Sequence, residues 1–376
     1  MNPVGDLPKE SIKSLGPGAY LVSVLPSVVL ILTLFALVSS RLYPWSSALQ
    51  SADGPVRPGV ESIVYSVEQL GIAGGIVLSL AVLVVAVLLR PLQISAVQLL
   101  EGYWDRGGSL GAIESMAIER HARRWRRHTV LRRLWPDHER SFSFDDVARR
   151  DRLVAAAERR RARATVVLSR YPRDVGRIMP TLLGNVLRRA ETTSGERYGL
   201  DTVTIYPRLY PHLSPRLDIA MANQLDVIDS ASTFVFVLSI QAAASAPLVV
   251  RLDWWSLVPA MFAVLAFVSY RGATAAAGKQ GQLLATAFDL HRFDMLTAMH
   301  RRLPAHAAEE LADNLQLSAF VRNGEPLGEA DRSSWTYSHP APVDTLVTGG
   351  AGASASAPPD QHDLASAPEN VDDHGA

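Results

Sequence analysis

The sequence contains no cysteine among its 376 residues, which excludes disulfides, thiolate zinc sites, iron–sulfur clusters and cysteine nucleophiles. A net charge is absent as well, because 37 basic side chains balance 37 acidic ones. The chain as a whole therefore gives no electrostatic argument for a nucleic-acid partner. Lysine is scarce, and nearly all basic residues are arginine. Together with abundant alanine, this bias favours a GC-rich bacterial genome.

Four apolar runs of about 20 residues contrast with an otherwise densely charged chain. They cover roughly residues 18–39, 70–89, 231–250 and 252–270, and Asp253 is the only Asp, Glu, Lys, Arg or His within them. At 1.5 Å per residue, each run can cross a hydrocarbon core of about 30 Å as a helix. We expect the first run to be an uncleaved anchor, because it exceeds the apolar core of a signal peptide.

Basic residues near the ends of the runs predict the orientation. Seven lie on one side of the membrane: Lys9, Lys13, Arg90, Arg106, Arg216, Arg271 and Lys279. Three lie on the other: Arg41, Arg57 and Arg251. This bias places both termini in the cytoplasm. The fold class predicted is an all-α integral membrane protein of the bacterial cytoplasmic membrane. Its four transmembrane helices form two hairpins, with a mainly helical cytoplasmic domain inserted between them.

The predicted organisation follows these changes in composition. In chain order it comprises a cytoplasmic N-terminus (1–17), a first transmembrane hairpin (18–90), an Arg-rich cytoplasmic helical domain (91–230), a second transmembrane hairpin (231–270), a cytoplasmic helical segment (271–323) and a disordered acidic tail (324–376). The inserted domain also contains a candidate capping box at 143–146 and a candidate short strand at 202–206. Beyond Arg332 the tail has six acidic residues and no Lys or Arg, a composition typical of disorder.

Two stretches of the inserted domain are rich in arginine. Residues 120–133 hold seven arginines and no acid, and residues 149–163 hold seven arginines and two acids. Such helices can lie on the anionic lipids of the inner leaflet, bind nucleic acid, or form a solvated surface with internal ion pairs. Nucleic acid is the least favoured partner. The candidate membrane-surface contacts are Arg123, Arg124, Trp125, Arg126 and Arg127, because an indole ring favours an interface.

Small and polar residues inside the apolar runs indicate helix packing. Gly71, Gly75 and Ser79 form a stripe of small residues, and Gln241 can donate a hydrogen bond to a neighbouring helix. Either feature suits packing within one chain or between the subunits of a homo-oligomer. The lack of charge in the runs disfavours proton relays and voltage sensors, which need ionisable residues in the membrane.

No catalytic motif is present. The segment from Gly272 to Lys279 fails the phosphate-loop pattern in its glycine spacing, and Gln280 replaces the required Ser or Thr. Asp289 and His291 point to different faces of a predicted helix, which disfavours a dyad. We therefore predict no catalytic residues, no cofactor and no metal site.

Five short motifs carry a resemblance that spans roughly residues 15–320. They are LLEGYW (99–104), PTLLGNVLRRAE (180–191), ERYGLD (196–201), YPRLYPHL (206–213) and FDLHRFDML (288–296). In these motifs the chain resembles actinobacterial integral membrane proteins that have no assigned activity. The resemblance implies a membrane location and this architecture, and it assigns no functional residue.

Composition and motifs together predict a non-enzymatic membrane scaffold, sensor or partner-binding module. Its partners would be the lipid bilayer, anionic lipids of the inner leaflet, and either further copies of the chain or a cytoplasmic protein. The alternative is a subunit of an oligomeric channel or transporter, because four uncharged helices can line a pore only by assembling.

Overall fold

The computed structural model describes residues 17–43, 58–104, 111–133, 147–324 and 335–339. Within these ranges the chain forms helices and no strand, which confirms the all-α prediction for this part of the chain. The helices are α1 (Pro17–Ser39), α2 (Val60–Glu101), α3 (Gly111–Arg133), α4 (Val147–Leu168), α5 (Leu182–Thr193), α6 (Thr202–Leu209), α7 (Pro215–Ser245), α8 (Val258–Ala298) and α9 (Ala307–Asn323). The predicted capping box at 143–146 and most of the predicted tail lie outside the described residues.

Three helical stretches are long and apolar enough to cross a membrane. They are Val60–Leu89, Pro215–Arg251 and Trp254–Ala298. The first apolar run of the sequence forms α1, in which Val24–Ser39 is a shorter apolar helix. Three of the four predicted crossings therefore have the required length and composition in the structure, and the crossing by α1 stays a prediction.

The helices α7 and α8 form the most extensive pairing in the described chain. Near the hairpin turn, Leu238 of α7 packs with Phe262 and Ala266 of α8, and near the middle of both helices Ile228 packs with Ala273. The connection contains two short 3-10 helices, Ala246–Arg251 and Trp254–Leu257. Asp253 opens the second one, since its carboxylate accepts a hydrogen bond from the backbone N–H of Trp255 at 3.1 Å.

Both helices continue well beyond their apolar halves. α7 runs without a break through residue 231, and α8 runs through residue 270, where the sequence pattern places domain boundaries. The polar halves of these helices pack with α6 and α9 around a buried core, which we call the body. The largest fully buried side chains of the body include Ile205, Leu209, Phe288, Met295 and Leu317.

The predicted strand at 202–206 is wrong. These residues form α6, and Asp201 begins the helix by accepting a hydrogen bond from the backbone N–H of Thr204 at 3.3 Å. The β-branched composition of this stretch favours a strand locally. Helical geometry instead brings Ile205 and Leu209, four residues apart, onto one face that the body buries completely.

The helix α2 contains a break at Gly71. This residue has φ 56° and ψ −171°, a conformation that side chains rarely adopt. α2 is therefore two helical segments joined at Gly71, and the second continues past Pro91 to Glu101. Leu89 in this segment packs with Leu30 of α1 and Val237 of α7, so the three helices α1, α2 and α7 are in contact here.

Candidate functional site

The helices α3 and α4 form a basic two-helix unit, which we call the arm. Each carries seven arginines, and together they carry four acidic residues. Every arginine side chain that the structure describes in the arm is exposed. The two helices pack mainly against each other. Since few contacts join the arm to the remaining helices, its arginines are available to a partner.

The inner face of α3 contacts the turn that follows α4. Nδ1 of His121 lies 2.9 Å from the Tyr171 hydroxyl, and the Trp125 indole N–H donates to the Pro172 carbonyl oxygen at 3.1 Å. Burial lowers the pKa of His121, and Arg124 and Arg120 lower it further. Trp125 is therefore half-buried against the protein. The sequence pattern groups Trp125 with four arginines as candidate membrane-surface contacts. In the structure Trp125 faces the protein instead, and the four arginines face outward.

Those four arginines lie at the exposed surface of α3. The Glu119 carboxylate pairs with Arg123 at 2.9 Å and with Arg126 at 3.6 Å, and the hydrogen bond from Arg123 is the main cause of the lowered pKa of Glu119. Exposed pairs of this kind contribute little to stability, because solvent screens them. Arg124 and Arg127 have no ion-pair partner among the described residues.

Arg189 of α5 attaches the arm to the other helices. Its guanidinium donates to the backbone carbonyl of Tyr171 at 2.9 Å and to that of Leu168, the last residue of α4, at 3.4 Å. A cation at this place satisfies carbonyls that the helix end leaves without partners. Burial lowers the pKa of Arg189. The orientation of the arm therefore depends on α5.

The start of α5 is fixed by a contact region that we call the junction, formed by Glu101, Thr181, Gly184 and Tyr270. The Thr181 hydroxyl donates to the Glu101 carbonyl at 3.0 Å and accepts from the Gly184 N–H at 3.0 Å. The Tyr270 hydroxyl accepts from the backbone N–H groups of Leu182 and Leu183, at 3.0 and 3.1 Å. α5 is thus capped by Thr181 and by Tyr270 of α8, and the last residue of α2 holds the Thr181 hydroxyl in place.

The side chain of Glu101 lies in an acidic environment at the junction. Its pKa is raised to about 7, mainly by burial and next by the carboxylate of Glu191, whereas Arg188 acts in the opposite direction. Arg188 pairs with Glu191 at 3.3 Å and donates to the Tyr103 hydroxyl at 3.2 Å. Glu101 is therefore a carboxyl group that is partly protonated near neutral pH.

A polar groove of about 630 Å³ lies between α5, α6 and α9. Its charges are compensated: Arg322 pairs with Asp201 at 2.5 Å, Arg188 pairs with Glu191, and Arg173 pairs with Glu196 at 3.0 Å. The groove therefore selects no ligand by net charge. Within the described ranges, no group of His, Asp and Glu is arranged to hold a metal ion.

Asp289 and His291, which the sequence places on different faces of a helix, have different hydrogen-bond partners. Asp289 accepts a hydrogen bond from the Tyr198 hydroxyl at 2.7 Å, whereas Nδ1 of His291 lies 3.0 Å from Asp294. Nε2 of His291 accepts from the backbone N–H of Ser214 at 3.3 Å, so Nδ1 carries the proton. Both side chains have structural partners and are not placed to react together.

Gln241 is fully buried between α7 and α1. Its side-chain amide donates to the Val29 carbonyl at 3.1 Å and to the Thr33 hydroxyl. The stripe of small residues behaves differently. No atom lies within 4 Å of a Cβ built on Gly71 or Gly75, and the Ser79 hydroxyl donates to its own helix, at the Gly75 carbonyl. This stripe therefore faces no other helix of the described chain.

The junction is the part of the site that sequence reasoning missed. Two of the motifs that carry the resemblance, LLEGYW and PTLLGNVLRRAE, meet there, but neither their spacing nor their periodicity indicates a contact. No family model, no curated protein and no solved structure matches the chain. Function is therefore inferred from the geometry of the chain itself.

We predict that Gly184→Ala destabilises the protein, because a Cβ at this position would lie 1.9 Å from the Glu101 carbonyl oxygen. Overpacking of this kind lowers the free energy of unfolding by about 1–3 kcal/mol. The control is Gly278→Ala in α8, where no atom lies within 4 Å and where alanine should stabilise the helix by up to about 1 kcal/mol. Thermal unfolding of the detergent-solubilised chain measures both, and equal stabilisation by the two variants would contradict the close approach.

The raised pKa of Glu101 predicts a pH-dependent stability. The folded chain retains this proton up to about pH 7, and the unfolded chain loses it near 4.5. The stability from this group is therefore greatest below about pH 4.5 and falls as the pH rises through 7. Glu101→Gln should gain about 1–2 kcal/mol over the wild type at about pH 8, and less at about pH 5.

The matched control is Glu158→Gln, which removes one negative charge from the exposed surface of α4. Unfolding midpoints of the three proteins across this pH range test the prediction. If the difference in unfolding midpoint between Glu101→Gln and the wild type did not change with pH, the pKa of Glu101 would not be raised in the folded chain.

Proposed function

We propose that the chain is a four-crossing protein of the bacterial cytoplasmic membrane and acts as a non-enzymatic scaffold. Its arm binds an acidic partner at the inner face of the membrane. The observation that carries this proposal is the arm itself, with fourteen arginines against four acids on two helices that pack mainly against each other. An excess of arginine over acidic residues, with every described arginine side chain exposed, attracts anionic partners and speeds their association.

The contacts of α1 support a fourth crossing. α1 has 23 residues, which is about 34 Å of helix and enough for a hydrocarbon core. It packs against the apolar halves of α2 and α7 through Leu30, Leu89 and Val237, and it accepts hydrogen bonds from Gln241. A helix in this position shares the environment of the candidate spans. The bias of basic residues then favours cytoplasmic termini.

The alternative function is a subunit of an oligomeric channel or transporter. One observation favours assembly: the stripe of Gly71, Gly75 and Ser79 lies beside exposed aliphatic side chains on α2, including Ile72, of which 87% is exposed. A second copy of the chain could pack closely against this stripe. Solute flux through reconstituted vesicles, together with a fixed oligomeric state, would support this alternative over the scaffold.

The four-crossing topology predicts a pattern of labelling by a membrane-impermeant thiol reagent. The chain has no cysteine, so single cysteines can be introduced without background. In intact cells, cysteines at Arg41 and Leu252 should react, and those at Lys13, Ala162 and Leu315 should react only after the membrane is permeabilised. Reaction at Lys13 in intact cells, or protection of Arg41, would show that α1 does not cross.

The scaffold role is tested by neutralising the arm in the full chain. All arm arginines are changed to glutamine, and partners cross-linked in native membranes are compared with those of the wild type. We expect the neutralised protein to insert normally and to lose the cross-linked partners, because exposed charges supply the attraction. Retention of the same partners would contradict the proposed function.

A further inference from the structure

The exposed face of α3 carries a regular stripe of six residues. They are Ile113, Met116, Arg120, Arg124, Arg127 and Leu131, which we call the α3 stripe. Their spacings of three and four residues place them within about 80° of the helix circumference. All six side chains are exposed, and Met116 is 67% exposed. Three arginines therefore lie in a row with aliphatic side chains at both ends.

The opposite face of α3 packs against α4 and the turn that follows α4. Ala122 and Thr129 are buried there, and His121 and Trp125 contact the turn at Tyr171 and Pro172. Because Ala122, Trp125 and Thr129 lie roughly across the helix from the α3 stripe, α4 packs on the other side of α3 and leaves the stripe uncovered. The stripe is thus an amphipathic surface without a described partner.

The mixture of side chains selects among acidic partners. Guanidinium groups bind phosphates of lipids and of nucleic acids alike. Exposed Ile113, Met116 and Leu131 gain nothing from a phosphate backbone, whereas they can enter the boundary between headgroups and acyl chains. A face with basic and aliphatic side chains therefore fits an anionic bilayer surface better than a nucleic acid.

The chain itself holds the α3 stripe near the membrane. α2 contains a candidate span and ends at Glu101, and α3 begins at Gly111. Ten residues reach at most about 36 Å even when fully extended. The covalent connection therefore keeps the start of α3 within this distance of the end of α2, which raises the effective concentration of the α3 stripe at the membrane surface.

We propose that the α3 stripe docks on the anionic lipids of the cytoplasmic leaflet, with its arginines at the lipid phosphates and its aliphatic side chains at the acyl boundary. This inference rests on the proposed function, since it names the acidic partner of the arm. The apolar residues that contact the membrane in this proposal are Ile113, Met116 and Leu131, and not Trp125. Arg123 and Arg126, which share the Glu119 carboxylate, lie outside the stripe.

The test uses the full chain in nanodiscs, with one cysteine introduced at Met116 or at Leu131 and labelled with a fluorophore. The control label replaces Val166, an exposed aliphatic residue of α4. The nanodiscs contain phosphatidylcholine, with or without phosphatidylglycerol, and a nitroxide quencher on the acyl chains. We expect several-fold stronger quenching at Met116 and Leu131 in the anionic discs, and weak quenching at Val166 in both. Equal quenching at all three positions, or none at Met116 and Leu131, would overturn the proposal.

Two matched charge variants separate the stripe from the arm as a whole. One changes Arg120, Arg124 and Arg127 to glutamine, and the other changes Arg159, Arg160 and Arg163 on α4. Each basic residue at an anionic surface contributes about a fivefold factor, so the first variant should shift the docking equilibrium on the order of 100-fold. The second should change it much less. Equal effects would assign the binding to overall charge and overturn the role of the stripe.

The outcomes also distinguish this inference from the function on which it rests. If lipid quenching is absent and added single-stranded RNA shields the Met116 label, the α3 stripe binds nucleic acid and the lipid assignment is wrong. If quenching is absent while the neutralised arm still loses its cross-linked partners, the lipid assignment alone fails. If the neutralised arm also keeps those partners, both proposals fail.

Discussion

The pairing of α7 with α8 is the contact on which the other helices depend. Ala273, Ala276 and Ala277 are buried almost completely, and such small side chains let helix backbones approach closely. The Gln224 side chain donates to the Ala276 carbonyl at 3.2 Å, which adds a polar contact at the same level. Because both helices are continuous, the apolar halves and the core around Phe288 belong to one rigid hairpin.

A chain of contacts leads from this hairpin to the arm. Tyr270 of α8 caps the start of α5, and Arg189 in its second half holds the carbonyl of Leu168, the last residue of α4, and that of Tyr171 in the following turn. α5 has only 12 residues, so a shift at its start reaches the arm across about 18 Å of rigid helix. The close approach at Gly184 and the partly protonated Glu101 lie at the start of this path. The junction therefore sets the position of the arm relative to the candidate spans.

Sequence reasoning predicted the helices better than their contacts. Apolar runs indicated the candidate spans, and the helical segment predicted at 271–323 contains the second half of α8 and all of α9. The strand at 202–206 was wrong, because local β propensity lost to the Asp201 cap and to burial of Ile205. The inward position of Trp125 and the fit of Gly184 against Glu101 depend on residues distant in the chain. No periodicity encodes such contacts, so they could not be predicted.

Cross-linking of paired cysteines in native membranes tests the central claim, the register of the α7–α8 hairpin, most directly. In this cysteine-free chain, cysteines replacing Gln224 and Ala276 should be joined by a short bifunctional thiol reagent, because the Gln224 side chain reaches the backbone of α8 at Ala276. Cysteines at Gln224 and Leu290 should not, because Leu290 lies about 21 Å further along α8. Cross-linking of the second pair in preference to the first would contradict the continuous hairpin.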